Sequence, residues 1–189
     1  IIADKFNYKK NQNILIAEGK VEVFDKKNET KIFADKITYL KNDEIIFTEG
    51  NSKAVKDNTL IIADKFNYKK NQNILIADGK VEIENKVNDY YIQANYVIYN
   101  INTKKYTTKG KTKAKIDSRY IFKSRDVTLD KNEKILKSSE KTNLEDLKDF
   151  NLNNFSKFIY FYERENLRGK NIKVINKFNK NKKIKNFFF

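Results

Sequence analysis

The residues of this chain that could do chemistry are few, and they repeat. Asp4, Asp35 and Asp64 recur at matched places, each followed by a lysine (Lys5, Lys36, Lys65). Paired carboxylates work as general acid and base when two of them share one site in different environments. Here one Asp recurs in three units and gives way to Asn95 and Arg125 in the next two. Its role therefore reads as structural, a pairing with those lysines or with neighbouring strands near the lip of a groove. Gly110, Lys111 and Thr112 imitate the end of a phosphate-binding loop, but position 105 is Lys where that loop requires its first Gly, and no helix is predicted to follow. The chain has no His and no Cys, which removes zinc sites and Ser–His or Cys–His nucleophiles and leaves no disulfide framework. Calcium-binding β-helix repeats need abundant Gly, and there are five. No catalytic residue, metal or cofactor is expected, and the chain is not read as an enzyme.

What the residues do offer is a matched set of apolar positions. Phe6 and Tyr8 have counterparts in Ile37 and Tyr39, Phe66 and Tyr68, Val97 and Tyr99, and Val127 and Leu129. After a polar turn at 9–13 the alternation resumes with Leu15, Ala17, Gly19, Val21 and Val23 on one parity. The third unit repeats it with Leu75, Ala77, Gly79, Val81 and Ile83. The second unit (Ile46, Thr48, Gly50, Ser52, Ala54) and the fourth (Tyr106, Thr108, Gly110, Thr112, Ala114) are shifted towards hydroxyls. Apolar residues two apart, rich in aromatic and β-branched types, predict half-buried strands. The candidate lining of an apolar groove is Phe6, Tyr8, Leu15, Val21, Ile37, Tyr39, Ile46, Phe66, Tyr68, Leu75, Val81, Val97, Tyr99 and Tyr106. An inward stripe is ordinarily a closed core, so an ordinary sandwich stands beside the groove. Against the sandwich are Thr48, Ser52, Thr108 and Thr112, which would fill a closed core poorly.

These positions are held by a repeat. Residues 61–82 reproduce residues 1–22 with a single change, Glu18 to Asp78. A half-period copy lies between them, so units start near 3, 34, 63, 94 and 124, with a looser sixth near 155. Periods of about 30 residues signal stacked units that bury apolar surface only against their neighbours. Gly recurring in register in successive strands marks a bend or bulge and predicts a crease shared by all of them. The expected fold is all-β: antiparallel strands in two sheets that meet along an edge around a shared apolar interior. A polar turn at 25–29 closes the unit. A short helical turn is expected within 141–154, and a strand over 155–162. Leu167, Arg168 and Gly169, followed by Ile172 and Val174, resemble the glycine half of a sixth unit with the aliphatics slipped by one parity. The repeat domain is expected over 1–178, with 179–189 the start of a continuation or linker in a chain that reads as a fragment. A stack without a polar cap leaves an edge strand that can pair with another chain.

Forty Lys and Arg against 25 Asp and Glu give a net charge of +15, which permits contact with phosphates, nucleic acid or an anionic membrane surface. The plain explanation is a bias towards Lys, Asn and Ile, with 26 Asn in the chain. Arg168, Lys170, Lys173, Lys177, Lys180, Lys182, Lys183 and Lys185 interleave with Phe178 and Phe187 to Phe189, a pattern that can hold single-stranded nucleic acid by charge and stacking. A solvated linker accounts for the same residues. A purely structural repeat is the third alternative.

A repeated A-D-K-x-x-Y, a turn, and then I-L-I-A-[ED]-G-K-V-E-[VI] resembles the OstA-like domain of the LptA/LptD lipopolysaccharide transport family. The resemblance covers about residues 1–145 well and 155–178 loosely, and the sixth unit and aromatic end are most like the N-terminal periplasmic domain of LptD. It implies a V-shaped β-jellyroll whose apolar groove shields lipid A acyl chains on the way to the outer membrane of a Gram-negative bacterium. It also implies homologous β-jellyroll partners joined edge to edge, an outer-membrane barrel in the same chain or complex, and no nucleic acid. A free periplasmic bridge of the LptA kind is the alternative within the family.

Overall fold

The computed structural model describes residues 1–148, 150–171, 173–176, 182–183 and 186–188, with side chains described over 1–148 and 155–171. Their strands form one antiparallel sheet. In order these are β1 (Lys5–Lys9), β2 (Ile14–Asp25), β3 (Thr30–Leu40), β4 (Ile45–Glu49), β5 (Ser52–Lys56), β6 (Thr59–Ala63), β7 (Lys65–Lys69), β8 (Ile74–Asn85) and β9 (Tyr90–Asn100). The second half holds β10 (Lys105–Ile116), β11 (Tyr120–Arg125), β12 (Thr128–Asp130), β13 (Ile135–Asp146), β14 (Phe150–Phe161), β15 (Asn166–Lys170), β16 (Lys173–Asn176), β17 (Lys182–Lys183) and β18 (Asn186–Phe188).

Each strand pairs with the next long strand, and the ladder is interrupted at one recurring place. The register slips between Glu18 and Val21, between Asp78 and Val81, and between Lys109 and Thr112. At the first two sites Gly19 (φ 80°) and Gly79 (φ 81°) are followed by Lys20 and Lys80, both at φ 46°. Glycine adopts this left-handed geometry without a Cβ penalty, and the extra residue bends the strand. The register slips again between Ser138 and Lys141, and other layers break altogether at the same level: β4 and β5 part at Gly50, β6 and β7 at Asp64, and β11 and β12 at Asp126. The predicted crease is therefore present, and the sheet folds across it into two wings. Because neighbouring strands run in opposite directions, residues before the break lie on the first wing in β2, β8 and β10 and on the second wing in β3 and β9.

The polar turns at the far ends of the wings are equally regular. Short 3-10 turns span Lys10–Gln12 and Lys70–Gln72, each closed by an asparagine in the left-handed region, Asn13 (φ 53°) and Asn73 (φ 55°). One expectation fails. Among the described residues of 141–154 no helical turn forms: β13 continues to Asp146 and β14 begins at Phe150. Thr142, Leu144 and Asp146 alternate inward with Lys141, Asn143 and Glu145 facing out, so the period of two prevails over a weak helical pattern. The last units are described only in part. Ile172, Lys177, Phe178, Lys180, Lys185 and Phe189, to which the sixth unit and the basic, aromatic ending were assigned, lie outside the described residues.

Candidate functional site

The interior between the wings is built from rows of side chains that run across the strands. On the first wing one row passes through Tyr8, Leu15, Tyr39, Ile46, Tyr68, Leu75, Tyr99, Tyr106, Leu129, Leu136, Tyr160 and Leu167, each directly opposite the next. Tyrosines and aliphatics largely alternate along it, and Tyr99 and Tyr106 stack with ring centroids 4.2 Å apart. The facing row on the second wing runs Val23, Ile32, Ala54, Ile61, Ile83, Ile92, Ala114, Phe122 and Leu144. The two rows give the molecule one apolar core along its length.

Of the residues the sequence assigns to a groove, Val21, Ile37, Ile46, Phe66, Tyr68, Leu75, Val81, Val97, Tyr99 and Tyr106 are all buried to 2% exposure or less. Leu15 and Tyr39 are half-buried. Phe6 and Tyr8 are a correction: they are 54% and 47% exposed, although Phe66 and Tyr68 in the identical segment are 2% and 0%. The difference is position in the stack. β7 lies between β4 and β8, whereas β1 pairs only with β2 among the described residues. Sequence reasoning missed most of the second wing, including Ile32, Ile61, Ile92, Ile116 and Phe122, all buried. The signal was there, since these positions follow the same 30-residue spacing.

The inward hydroxyls are not misfits. Thr48 and Ser52 lie 2.6 Å apart, Thr108 and Thr112 2.7 Å, and Ser124 and Thr142 2.7 Å, each a buried hydrogen-bonded pair at the crease. Thr48 and Thr108 also accept from the backbone N–H groups of Phe66 and Val127. These pairs satisfy donors that the broken ladder leaves over, so they are compatible with a closed interior.

The recurring aspartates sit on the outer side of the crease, over the glycines. The backbone N–H groups of Asp4, Asp35 and Asp64 donate to the carbonyls of Gly19, Gly50 and Gly79, and Asp35 accepts from Asn51 at 2.8 Å. Of the two pairings expected, the one with the neighbouring strand forms and the one with the adjacent lysines does not. Lys36 lies 3.7 Å from Glu18 and Lys65 3.1 Å from Asp78, because successive residues of a strand point to opposite faces. Among the described residues no group of His, Cys, Asp and Glu is arranged to hold a metal ion, and no helix is long and apolar enough to cross a membrane.

Opposite the crease, the free ends of the wings are laced together. Tyr68 of the first wing donates to Asp25 of the second at 2.6 Å, and Asn28 joins Asp25, Tyr68 and Asn73. Further along, Lys131 lies 3.7 Å from Asp57, Tyr160 donates to Asp117 at 3.2 Å, and Tyr120 donates to Glu165 at 3.2 Å. Burial acts to raise the Asp25 carboxyl, but the hydrogen bonds from Tyr68 and Asn28 prevail and hold it below its ordinary value. Burial pushes the Tyr99 phenol up to about 12, with the charge of Asp57 adding to the effect, and burial likewise raises Tyr68, Tyr106 and Tyr160, so these buried phenols are neutral at physiological pH. The site is thus an uncharged apolar slot, closed at one side by a crease and at the other by a polar seam.

The architecture defines a class: an antiparallel β-jellyroll made of stacked, folded strands with its apolar side inward. Among solved structures the chain is similar to the crystal structure of LptH, the LptA-homologous periplasmic component of the lipopolysaccharide transport device from Pseudomonas aeruginosa. The TM-score is 0.52 at 15% sequence identity, over 57% of this chain and 79% of that one. At that identity the likeness establishes the fold. No family model matches the chain, and no curated protein matches it.

Proposed function

We propose that the chain is a non-enzymatic conduit for lipopolysaccharide, of the OstA-like kind, working in the periplasm on the route to the outer membrane. The observation that carries this reading is the uninterrupted inward row from Tyr8 to Leu167, set within the fold that LptH also has. Acyl chains would lie between the wings against Tyr39, Ile46, Tyr68, Leu75 and Tyr99. Each CH₂ taken from water contributes about 0.8 kcal/mol, so a chain of about twelve contributes on the order of 10 kcal/mol. Opening the seam at Tyr68–Asp25, Tyr160–Asp117 and Tyr120–Glu165 costs about 1 kcal/mol per bond, rather more at the charged ones. A single acyl chain therefore exceeds the hydrogen bonds of the seam taken alone. Hydrophobic attraction is non-directional, which lets the lipid advance from strand to strand along the rows without a deep trap, while direction must come from an external energy source.

The exposed edge supports the partner in this reading. Phe6 and Tyr8 present to solvent what Phe66 and Tyr68 bury under a neighbouring strand, so a homologous β-jellyroll adding a strand beside β1 would restore the interior arrangement. Within the family the N-terminal domain of LptD, with its outer-membrane barrel, is the assignment we favour over a free LptA-like bridge. The basic stretch from Arg168 is assigned no nucleic-acid role. A structural repeat with a permanently closed interior is the second reading, and the burial of the Phe66, Tyr68 and Tyr99 side chains favours it.

Site-specific photo-crosslinking in a lipopolysaccharide-producing host separates the two. A photoreactive residue at Phe66 or Tyr39 faces the slot, and one at Lys65 faces outward. Lipopolysaccharide adducts at the first two and not at Lys65 support the conduit. A folded protein with adducts at none of the three is a closed structural repeat.

A further inference from the structure

The outer face of the sheet carries a second concavity beside the crease, remote in character from the apolar slot. In the first three units the crease is filled. A Cβ placed on Gly19, Gly50 or Gly79 would collide with the carboxylate of Asp4, Asp35 or Asp64. In the fourth unit Asn95 takes the place of the aspartate; the Asp126 carboxylate accepts from the Gly110 N–H at 2.8 Å, but a Cβ at Gly110 would still meet nothing within 4 Å. In the fifth, Arg125 takes that place. The space opened by these two replacements is a cleft of about 810 Å³ lined by Lys80, Lys111, Lys113, Lys123, Arg125 and Lys141, with Glu82 the one carboxylate in its wall. The corresponding concavity of the first two units, about 430 Å³, balances Lys20 and Lys53 with Glu22 and Asp35.

The strand register makes this accumulation of charge costly. Lys111 stands directly opposite Arg125, and Lys113 directly opposite Lys123, on the adjacent strands β10 and β11. Like charges at facing positions destabilise a sheet. Elsewhere along the crease the facing pairs are complementary: Glu18 with Lys36, Lys36 with Glu49, and Lys65 with Asp78. Within the cleft, Lys123 reaches Glu145 at 3.4 Å, which neutralises one of the four. A bound anion would relieve the rest. Phosphate suits the donors, because ammonium groups supply point charge and the Arg125 guanidinium a bidentate fork. The wall has no aromatic side chain, so the stacking platform that single-stranded nucleic acid uses is missing.

We propose that this cleft binds a phosphate-bearing anion, either free in solution or as the headgroup of a lipid. The test is titration of the whole chain with inorganic pyrophosphate at low salt, by calorimetry, beside three charge variants. Wild type should bind, and Arg125→Glu should weaken binding about tenfold or more, through loss of a charge-assisted fork and gain of a repelling carboxylate. Lys137→Glu, an equal charge change at an exposed site on the other wing, should leave the affinity within about twofold, as distant exposed charges are screened. Without ligand, Arg125→Glu should raise the melting temperature by about 1–3 °C, since it places a carboxylate opposite Lys111. Lys113→Gln, which removes the second like-charge pair, carries the same two expectations if Arg125→Glu does not fold. Vesicles of cardiolipin in phosphatidylcholine, against phosphatidylcholine alone, identify the source. Binding to cardiolipin vesicles that Arg125→Glu abolishes assigns a lipid headgroup, and binding of pyrophosphate alone assigns a soluble anion. Failure of wild type to bind either, or equal weakening by Lys137→Glu, overturns the site. So does tighter binding of a single-stranded oligonucleotide than of pyrophosphate.

Discussion

The chain contains its own control experiment, because residues 1–22 and 61–82 differ at one position and occupy different levels of the stack. Phe6 and Phe66 have the same neighbours in sequence, yet Phe6 is 54% exposed and Phe66 2%. Truncating a fully buried Phe to Ala removes its transfer free energy and leaves a cavity, costing about 3–5 kcal/mol. Phe66 is packed on both sides, with Ala77 facing it on β8 and the Thr48 hydroxyl bound to its backbone N–H, so little collapse is available and the upper part of that range is expected. Phe6 faces only Ala17 on β2. With about half its surface already in water, Phe6→Ala should cost about 1 kcal/mol or less. The assay is urea unfolding of wild type and the two variants, read as the shift in midpoint at constant slope. A difference of at least about 2 kcal/mol between the variants is expected. Equal losses would mean that β1 is covered in solution as β7 is, and the inference of an unpaired edge would be wrong. Repeating the Phe6→Ala measurement at high protein concentration shows whether self-association is what covers it.

Two further predictions use the same repeats. Tyr68→Phe should cost about 2 kcal/mol at pH 7, the value of a buried hydrogen bond to a charged group, whereas Tyr8→Phe, whose hydroxyl donates to Asn13 at an exposed site, should cost less than about 0.5 kcal/mol. Because Asp25 is held below its ordinary value in the fold, its contribution is complete above the unfolded carboxyl value and is lost as pH falls through the folded one. The Tyr68→Phe deficit should therefore shrink on acidification, and a deficit independent of pH would refute the charged pairing. Gly79→Ala should destabilise more than Gly110→Ala. Both positions have φ near +80°, but only at Gly79 does the added methyl strike an aspartate. Thermal melts giving the opposite order would contradict the crease geometry.

Much of this fold was written locally. Alternation of Phe6 with Tyr8 and of Leu15 with Ala17 requires strands, since a period of two has one apolar face only in extended chain. The recurring Gly and the turns around Asn13 and Asn73 fix where those strands bend and reverse, because few residues tolerate the left-handed region. The 30-residue period then implies stacking. Three things were decided by assembly. Phe6 and Phe66 share a local sequence, so it is the β4 strand stacked on β7, with no counterpart beside β1 among the described residues, that makes one core and the other surface. Closure of the slot depends on Tyr68 meeting Asp25 and on Tyr160 meeting Asp117, contacts between residues 43 apart in each case, which no local pattern specifies. The cationic cleft is invisible as a motif, since Lys80, Lys111 and Arg125 belong to three separate units. Antiparallel register brings them together, because pairing fixes which residues face one another across strands while sequence alone fixes only which face each residue takes.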